Sequence, residues 1–351
     1  MLVITLSLLV FISFLIALFL NIKPFGQVPT GERLKRMQES PHFRKGKFWN
    51  IEATPLMIND ELTKSSKNNI INRRPMSPIQ VQKTNLKHLD TDNNLFVWFG
   101  HSSYLMQLDG KRFLVDPVFI QSSPVPFVNR PFPGTDVFKP DDMPDIDYLI
   151  ITHDHWDHLD YKTVSALKDR VGKVVCGLGV GAHLERWGYA KEAIIELDWN
   201  EDYNLEEGFD IHCLTSRHFS VRGIDRNITL WISALLQTPS MNVYIGGDGG
   251  YGSHFAEIGQ RFPNIDLAVL ENGQYNMRWR YIHTMPDKLP QVAKDLNAKT
   301  IVTVHHSKFA LSVHPWTEPI ENAKRLRDEY SMNVLIPSIG EVVVLNKQSA
   351  K

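Results

Sequence analysis

One short stretch constrains this chain more than any other, because an apolar run leads directly into a dense group of metal-binding side chains. Residues 146–151 have the composition of a buried strand, and the sequence then reads His153-Asp154-His155-Trp156-Asp157-His158. The loop beyond the carboxyl end of a strand is where α/β sheets usually place their chemistry. Imidazole and carboxylate together suit zinc, with manganese or iron as alternatives where carboxylates take a larger share. A polar loop that is rich in histidine by chance is the alternative, but five potential ligands within six residues favour a metal site.

Length and composition fit one large domain. The chain has 351 residues, 43% of them hydrophobic, so a single α/β sandwich of about 250 residues fits within it. Its 38 Lys and Arg residues nearly balance 39 Asp and Glu residues, so the overall charge does not indicate a nucleic-acid partner. Cys176 and Cys213 are the only cysteines, too few for a disulfide framework or a cysteine-based metal site.

An uncharged segment opens the chain. Residues 2–20 contain no charged side chain, and their number suits a helix that crosses a bilayer. No basic residue precedes the apolar run and no Ala-x-Ala follows it, so we favour an uncleaved transmembrane anchor at residues 1–22 over a signal peptide. Seven Lys and Arg residues lie between positions 23 and 47, which predicts a catalytic part on the cytoplasmic side. A merely solvated basic linker and an exported protein are the alternatives.

The rest of the chain divides into a polar extension and a main domain. Residues 23–90 predict an irregular extension without recognisable chemistry, and residues 91–348 the main domain. Strands flanking Asp109-Gly110 predict a hairpin, and the later order of helices and strands suggests two sheets covered by helices. The segment 117–144 holds seven prolines together with Phe119, Phe127 and Phe132. We interpret it as an apolar lip for substrate or membrane, with a small satellite core beneath a long loop as the alternative.

Three further candidate ligands stand at the ends of predicted strands. These are His218, Asp248 and His305, and each follows an apolar run into a loop. The glycines around Asp248 fit a backbone that passes close to a pair of metal ions, although a tight turn explains Gly-Asp-Gly nearly as well.

Taken together, these residues resemble the metallo-β-lactamase superfamily, whose five metal motifs occur in this order along one chain. The resemblance narrows to the branch of N-acyl-phosphatidylethanolamine-hydrolysing phospholipases D and spans about residues 95–344. The motifs that carry it are Trp98-Phe99-Gly100-His101-Ser102, Asp116-Pro117, His158-Leu159-Asp160-Tyr161, Glu196-Leu197-Asp198-Trp199, Tyr275 with Arg278-Trp279, and Phe309-Ala310-Leu311. The resemblance implies an α+β fold, an αββα sandwich of two mixed β-sheets flanked by helices, here behind an N-terminal transmembrane helix.

The resemblance also implies a site for two Zn²⁺ ions. Carried over by position, His153, His155 and His218 hold one ion, Asp157, His158 and His305 hold the other, and Asp248 bridges them. The family usually has Thr where this chain has Gly249 and an aromatic residue where it has His306. We prefer His305 as the ligand because its spacing to Phe309-Ala310-Leu311 matches the family, and whether His306 contributes stays open. His283 with Asp248 is the implied catalytic pair, and His101 and Tyr275 are candidate substrate contacts, as are Phe119, Phe127 and Phe132 of the lip. A hydrogen-bonded structural role is the alternative for His101 and His283.

The function implied in this way is zinc-dependent hydrolysis of a phosphodiester in a membrane phospholipid. Two metal ions about 3.5–4 Å apart can share a hydroxide and hold a phosphoryl oxygen beside it. Asp248 would orient that hydroxide, and His283 would contact the phosphate or assist the leaving group. The expected partners are the phospholipid and the bilayer, no nucleic acid is expected, and a homodimer is left open. The alternatives are a lactonase or other small-molecule hydrolase, then a nuclease, and finally a membrane-bound scaffold, which the intact ligand set disfavours.

Overall fold

Within the described residues, the N-terminal part of the chain contains two α-helices and a short hairpin. The structure, a computed structural model, describes residues 2–60, 63 and 72–345, with side chains from Thr5 onward. The helices are α1 (Leu2–Leu20) and α2 (Gly31–Glu39), and the hairpin joins β1 (Phe43–Arg44) to β2 (Lys47–Phe48). The extension is therefore partly regular, whereas its polar sequence predicts an irregular segment.

Helix α1 coincides with the uncharged segment, and its side chains from Thr5 to Phe19 are exposed. Within the described residues, no helix is both long and apolar enough to cross a membrane. The predicted transmembrane anchor at residues 1–22 is therefore not confirmed.

A first mixed sheet of seven strands contains the predicted hairpin. Its strands are β3 (Leu95–Trp98), β4 (Tyr104–Leu108), β5 (Lys111–Val115), β6 (Ile146–Ile151), β7 (Val171–Gly177), β8 (Ile194–Leu197) and β16 (Val342–Val344). Their spatial order is β16-β3-β4-β5-β6-β7-β8. The turn between β4 and β5 places Asp109 and Gly110 at positive φ (48° and 80°), as the right-handed twist of a tight hairpin requires.

A second mixed sheet of seven strands faces the first. It contains β9 (Asp202–Glu206), β10 (Phe209–Leu214), β11 (Ser233–Gln237), β12 (Asn242–Ile245), β13 (Leu267–Glu271), β14 (Thr300–Val304) and β15 (Val334–Leu335). Their spatial order is β15-β14-β13-β12-β11-β10-β9, with β12 to β15 parallel to one another. The predicted sandwich of two mixed sheets is confirmed.

The period-2 alternation of strand side chains divides the apolar residues between two cores. In β13, Leu267 and Val269 join a large core that contains residues of both sheets, whereas Ala268 and Leu270 join a smaller one. The smaller core lies under α5 (His254–Arg261), α6 (Leu289–Leu296) and α7 (Glu318–Asp328), and α3 (Tyr161–Leu167) and α4 (Gly181–Arg186) add side chains to the larger core. Both sheets are thus fixed from two sides, which holds the strand ends that carry the candidate ligands.

Candidate metal centre

All seven predicted ligands are brought together where strands end in loops. Four of them follow β6, and one each follows β10, β12 and β14: His153, His155, Asp157, His158, His218, Asp248 and His305. His155 and Asp157 are partly exposed, whereas the other five are buried. Loops from four strands of two sheets therefore converge on one small volume.

The ligands form two groups, and Asp248 faces both of them. His153, His155, His218 and Asp248 have ligand atoms that all lie within 4.8 Å of one another, and so do His101, Asp157, His158 and His305. The Asp248 Oδ2 atom is 3.3 Å from His158 Nε2 and 3.2 Å from His305 Nε2 in the second group. It is 3.8 Å from His218 Nε2 and 4.0 Å from His153 Nε2 in the first. The Asp248 carboxylate therefore lies between the two groups, where it could contact an ion held by either one.

The donor atoms in the two groups fit divalent cations. Among the described residues, His158 Nε2, His305 Nε2 and Asp248 Oδ1 are buried without a hydrogen-bond partner. Buried polar atoms of this kind are costly unless something satisfies them. The set of imidazoles and carboxylates is one that zinc prefers, so these groups are candidate sites for a divalent cation.

The electrostatic environment separates the histidines into two kinds. Burial lowers the pKa of His153 and of His218 well below the ordinary value, and lowers that of His155 to about 4. Although burial opposes it, the nearby Asp248 carboxylate raises the pKa of His305 to about 10 and also raises the pKa of His158. Burial thus favours the neutral form of the first three imidazoles, which is the form that binds a cation, whereas the carboxylates favour the protonated form of the last two, so that protons compete there with a cation.

His101 and His306 lie beside the centre with different contacts. His101 Nε2 is 2.9 Å from Asp157 Oδ2, so His101 holds a predicted ligand in place. His306 Nδ1 is 2.8 Å from Ser307 Oγ, its Nε2 is 3.3 Å from Thr303 Oγ1, and its ring packs on Trp98. Both ring nitrogens of His306 are therefore occupied, and the structure brings His305 rather than His306 into the ligand group.

A sequence model described as "Beta-lactamase superfamily domain" matches residues 111–306 of this chain. That range includes every one of the seven ligands. The chain belongs to the metallo-β-lactamase superfamily. It is accordingly a metal-dependent hydrolase, and the two groups described above are candidates for holding divalent metal, as is a third that joins Asp248 and His305 to Glu271 and His283.

Relatives of this superfamily member agree with the predicted resemblance. An uncharacterized protein of Mycobacterium tuberculosis is 34% identical over 316 residues, covering 87% of this chain and 85% of that protein. The N-acyl-phosphatidylethanolamine-hydrolyzing phospholipase D 1 of Caenorhabditis elegans is 27% identical over 272 residues, covering 72% of this chain and 75% of that enzyme. A solved metallo hydrolase from the archaeon Ignicoccus hospitalis shares the fold with a TM-score of 0.56 at 19% identity, covering 72% of this chain and 99% of that one. The resemblance to the superfamily and to its phospholipase D branch is thus confirmed.

The presence of glycine at position 249, where the superfamily branch usually has Thr, has a steric explanation. A Cβ atom at this position would lie 2.5 Å from Ser216 Oγ and 3.3 Å from the backbone nitrogen of Arg217. Ser216 Oγ donates a hydrogen bond to the carbonyl oxygen of Asp248 at 2.5 Å. The Ser216 hydroxyl thus occupies the space of a side chain at residue 249 and fixes the backbone of the bridging aspartate.

Asp116, which lies outside the predicted set of site residues, supports the candidate ligands from behind. It is buried, and its Oδ2 accepts hydrogen bonds from His158 Nδ1 (2.8 Å) and Thr152 Oγ1 (2.6 Å). Thr152 Oγ1 also lies 3.0 Å from His153 Nδ1, so Asp116 orients one histidine of each group. The motif Asp116-Pro117 at the end of β5 was the signal in the sequence that could have identified it.

Replacing Asp116 with Asn is expected to weaken zinc binding roughly 10–100-fold, the usual cost of losing the partner that orients a metal-bound histidine. Competition with a chelating dye measures the affinity. Asp109→Asn is the matched control, because Asp109 lies at the β4–β5 turn and bonds Thr238 and Ser240 instead. Equal affinities of the Asp116 and Asp109 variants would contradict the role assigned to Asp116.

A cavity of about 310 Å³ opens onto the metal centre. Beside ligands from both groups, its walls are mostly apolar: Leu56, Met57, Phe219, Trp279, Ile282 and Leu311, together with Gln274, His283 and Arg226. Of these wall residues, only His283 was predicted as a site residue. Arg226 is the one Lys or Arg among the lining residues that the structure describes. The cavity therefore suits an amphipathic molecule with an anionic group.

The predicted aromatic lip does not form the wall of this cavity. Phe119 and Phe132 are both 2% exposed and pack inside the protein, Phe119 against Phe99 and Phe132 near Trp316. Phe127 is 68% exposed but does not line the cavity either. The satellite-core alternative describes Phe119 and Phe132 correctly, because the prolines of this segment fold it back onto the domain.

Tyr275 and His101 also lie outside the cavity wall, which corrects their prediction as substrate contacts. Tyr275 donates a hydrogen bond from its hydroxyl to Glu318 Oε1 (2.7 Å) and stacks on His314. His101 is fully buried against Asp157. Both residues therefore support the architecture behind the site instead of contacting the cavity.

The extension contributes to the site although its sequence shows no chemistry. Leu56 and Met57 belong to the cavity wall. Asn50 Nδ2 donates to the carbonyl oxygen of His218 (2.7 Å), and the backbone N–H of His218 donates to Asn50 Oδ1 (3.2 Å). Residues 50–57 thus cross the site as a strap that holds one ligand and closes one side of the cavity.

Proposed function

We propose that this metal-dependent hydrolase is a dinuclear zinc phosphodiesterase of the phospholipase D type. Its substrate would be an N-acyl-phosphatidylethanolamine-like lipid of a bilayer. The observation that supports this most is the cavity, in which apolar walls and one guanidinium lead to the predicted ligands. The C. elegans relative, which carries that activity in its name, supports the same substrate class.

The chemistry divides between the bound ions and the chain. When bound, two divalent cations supply an activated water and positive charge for the phosphoryl oxygens. Asp248 keeps the two ligand groups at a fixed separation. His283 lies on the cavity wall with its Nδ1 held by Glu271 at 2.8 Å, so its other ring nitrogen is placed to meet the phosphate or the leaving oxygen. The apolar walls exclude water from the acyl chains and orient the headgroup towards the ligands.

The direct test uses the zinc-loaded full chain and a panel of substrates. Vesicles of N-acyl-phosphatidylethanolamine, phosphatidylethanolamine and phosphatidylcholine are compared with lactones and with a soluble phosphodiester. Release of phosphatidic acid from the N-acyl lipid is the expected result. Hydrolysis of lactones alone would assign the protein to the alternative class of small-molecule hydrolases.

Arg226 gives a prediction about how the substrate is held. Its guanidinium lies 6.0 Å from the Phe219 ring centroid, and among the described residues no carboxylate pairs with it. A hydrogen bond to a charged group contributes about 1.5–3 kcal/mol, so Arg226→Gln should raise KM for an anionic phosphodiester at least about tenfold. KM for a neutral lactone and the zinc content should be unchanged.

Arg280→Gln is the matched control for Arg226. Arg280 is paired with Asp60 at 2.8 Å and does not line the cavity, so its loss should leave KM for the phosphodiester unaltered. If both variants raise KM for the phosphodiester equally, the loss of one positive charge anywhere near the site explains the change, and the role of Arg226 is rejected.

A further inference from the structure

Glu271 is a buried carboxylate next to the cavity that lies outside the seven predicted ligands, although its ligand atom lies within 4.8 Å of those of Asp248, His283 and His305. It is the last residue of β13 and is 4% exposed. Its Oε1 accepts the backbone N–H groups of Gly249 (3.0 Å) and Thr284 (2.6 Å). Among the described residues, no Lys or Arg forms an ion pair with it. A buried carboxylate is unfavourable without such compensation, so its contacts indicate what it does.

The strongest side-chain contact of Glu271 is with His283. Glu271 Oε2 lies 2.8 Å from His283 Nδ1. An acceptor at this distance keeps the proton on Nδ1, because the hydrogen bond of one ring nitrogen fixes the state of the other. His283 Nε2 is then the nitrogen available on the cavity side, where His283 forms part of the wall.

A second reading assigns Glu271 to the metal ligand His305, and the distances disfavour it. Glu271 Oε2 is 3.4 Å from His305 Nδ1, which is longer than its contact with His283. The carbonyl oxygen of Gly273 lies closer to that nitrogen, at 3.2 Å. His305 thus has its own acceptor, whereas Glu271 is the single partner of His283 Nδ1 among the described hydrogen bonds.

We propose that Glu271 is a positioning residue that fixes the ring orientation and the tautomer of His283 for its contact with the substrate. The same carboxylate holds the N–H of Gly249, directly after the bridging Asp248. One side chain thus sets the relative position of the bridging ligand and the histidine on the cavity wall. This inference rests on the proposed function only for the role of His283 in turnover.

The first test reads the tautomer directly and needs no activity. Nitrogen-15 NMR of histidine-labelled, zinc-loaded protein is expected to show a His283 ring protonated on Nδ1. In Glu271→Gln the amide oxygen can still accept from Gly249 and Thr284, but its NH₂ group faces Nδ1, which moves the proton to Nε2. An unchanged His283 spectrum in this variant overturns the proposal, whatever the substrate of the protein is.

The second test is kinetic and uses a soluble phosphodiester. Glu271→Gln should lower kcat at least about 100-fold, the usual range for a proton-carrying side chain, with KM within about threefold of the wild type and zinc content intact. His283→Gln should cause a similar loss, and the double variant should lose no more than either. Glu318→Gln, which removes the carboxylate that binds Tyr275, is the control and should retain kcat.

The outcomes distinguish a failure of the role proposed for Glu271 from a failure of the proposed function. Zinc loss in parallel with activity would assign Glu271 to the metal centre through His305 and overturn the proposal, as would additive losses in the double variant. A wild type without activity on any phosphodiester would contradict the proposed function instead, and the NMR result would still decide the role of Glu271.

Discussion

Replacing Asp248 with alanine is expected to abolish hydrolysis and to release at least one metal ion. This carboxylate lies within 3.2–4.0 Å of histidines from both ligand groups, so its removal separates two sites that would otherwise share a ligand. The loss should exceed the roughly 10–100-fold cost of removing an outer partner of a metal site. Activity assays together with metal analysis of the purified variant measure both effects.

His254→Ala provides the comparison for Asp248→Ala. Like Asp248, His254 is a buried titratable residue. It begins α5, packs on Phe255 and belongs to none of the candidate metal groups. Its replacement should leave hydrolysis largely intact. Similar losses in the two variants would mean that general damage to the fold explains both, and the assignment of Asp248 as the bridging ligand would be rejected.

Removal of the metal ions by a chelator is the second large effect that we expect. Activity should disappear, and the melting temperature should fall, because ions that bind only the folded chain stabilise it by about 4 kcal/mol at a thousand times their Kd. For a domain of this size such a change corresponds to roughly 10 °C. Calorimetry before and after chelation measures the shift, and added zinc should restore both properties.

The affinity for the metal ions is expected to change with pH in a defined direction. The pKa of His305 is raised to about 10 and that of His158 is also raised, because nearby carboxylates favour the protonated imidazoles when no cation is present. Protons then compete with the cations, and the competition grows as the pH falls. Metal affinity should therefore rise with pH up to about 10 and decrease in acid. Metal analysis that finds none or one ion per chain even at alkaline pH would contradict the dinuclear site.

The ligands could be predicted from the sequence because their positions follow from local rules. His153, His155, Asp157 and His158 sit in one loop directly after an apolar strand, so their proximity needs no knowledge of the fold. His218, Asp248 and His305 follow other strands, and strand ends meet at one edge of a sandwich. The strands and most helices were predictable for the same reason, since the spacing of apolar side chains along a strand or a helix is a local property.

The cavity wall could not be predicted in this way, because its residues are distant from one another along the chain. The aromatic residues of a proline-rich segment indicate that the segment packs on an apolar surface, but not in which direction each ring points. In the structure, Phe119 and Phe132 pack inward, whereas Trp279 and Phe219 line the cavity. Glu271 looks like the end of an ordinary strand, and only the fold brings it to His283.

The strap of residues 50–57 has a consequence for how this enzyme can diverge from its relatives. Leu56 and Met57 lie outside the matched range 111–306, and so does Leu311. Part of the cavity wall therefore belongs to segments other than the one that carries the candidate ligands. We expect exchanges at Leu56 and Met57 to change which molecules the cavity accepts, while the candidate ligands stay in place.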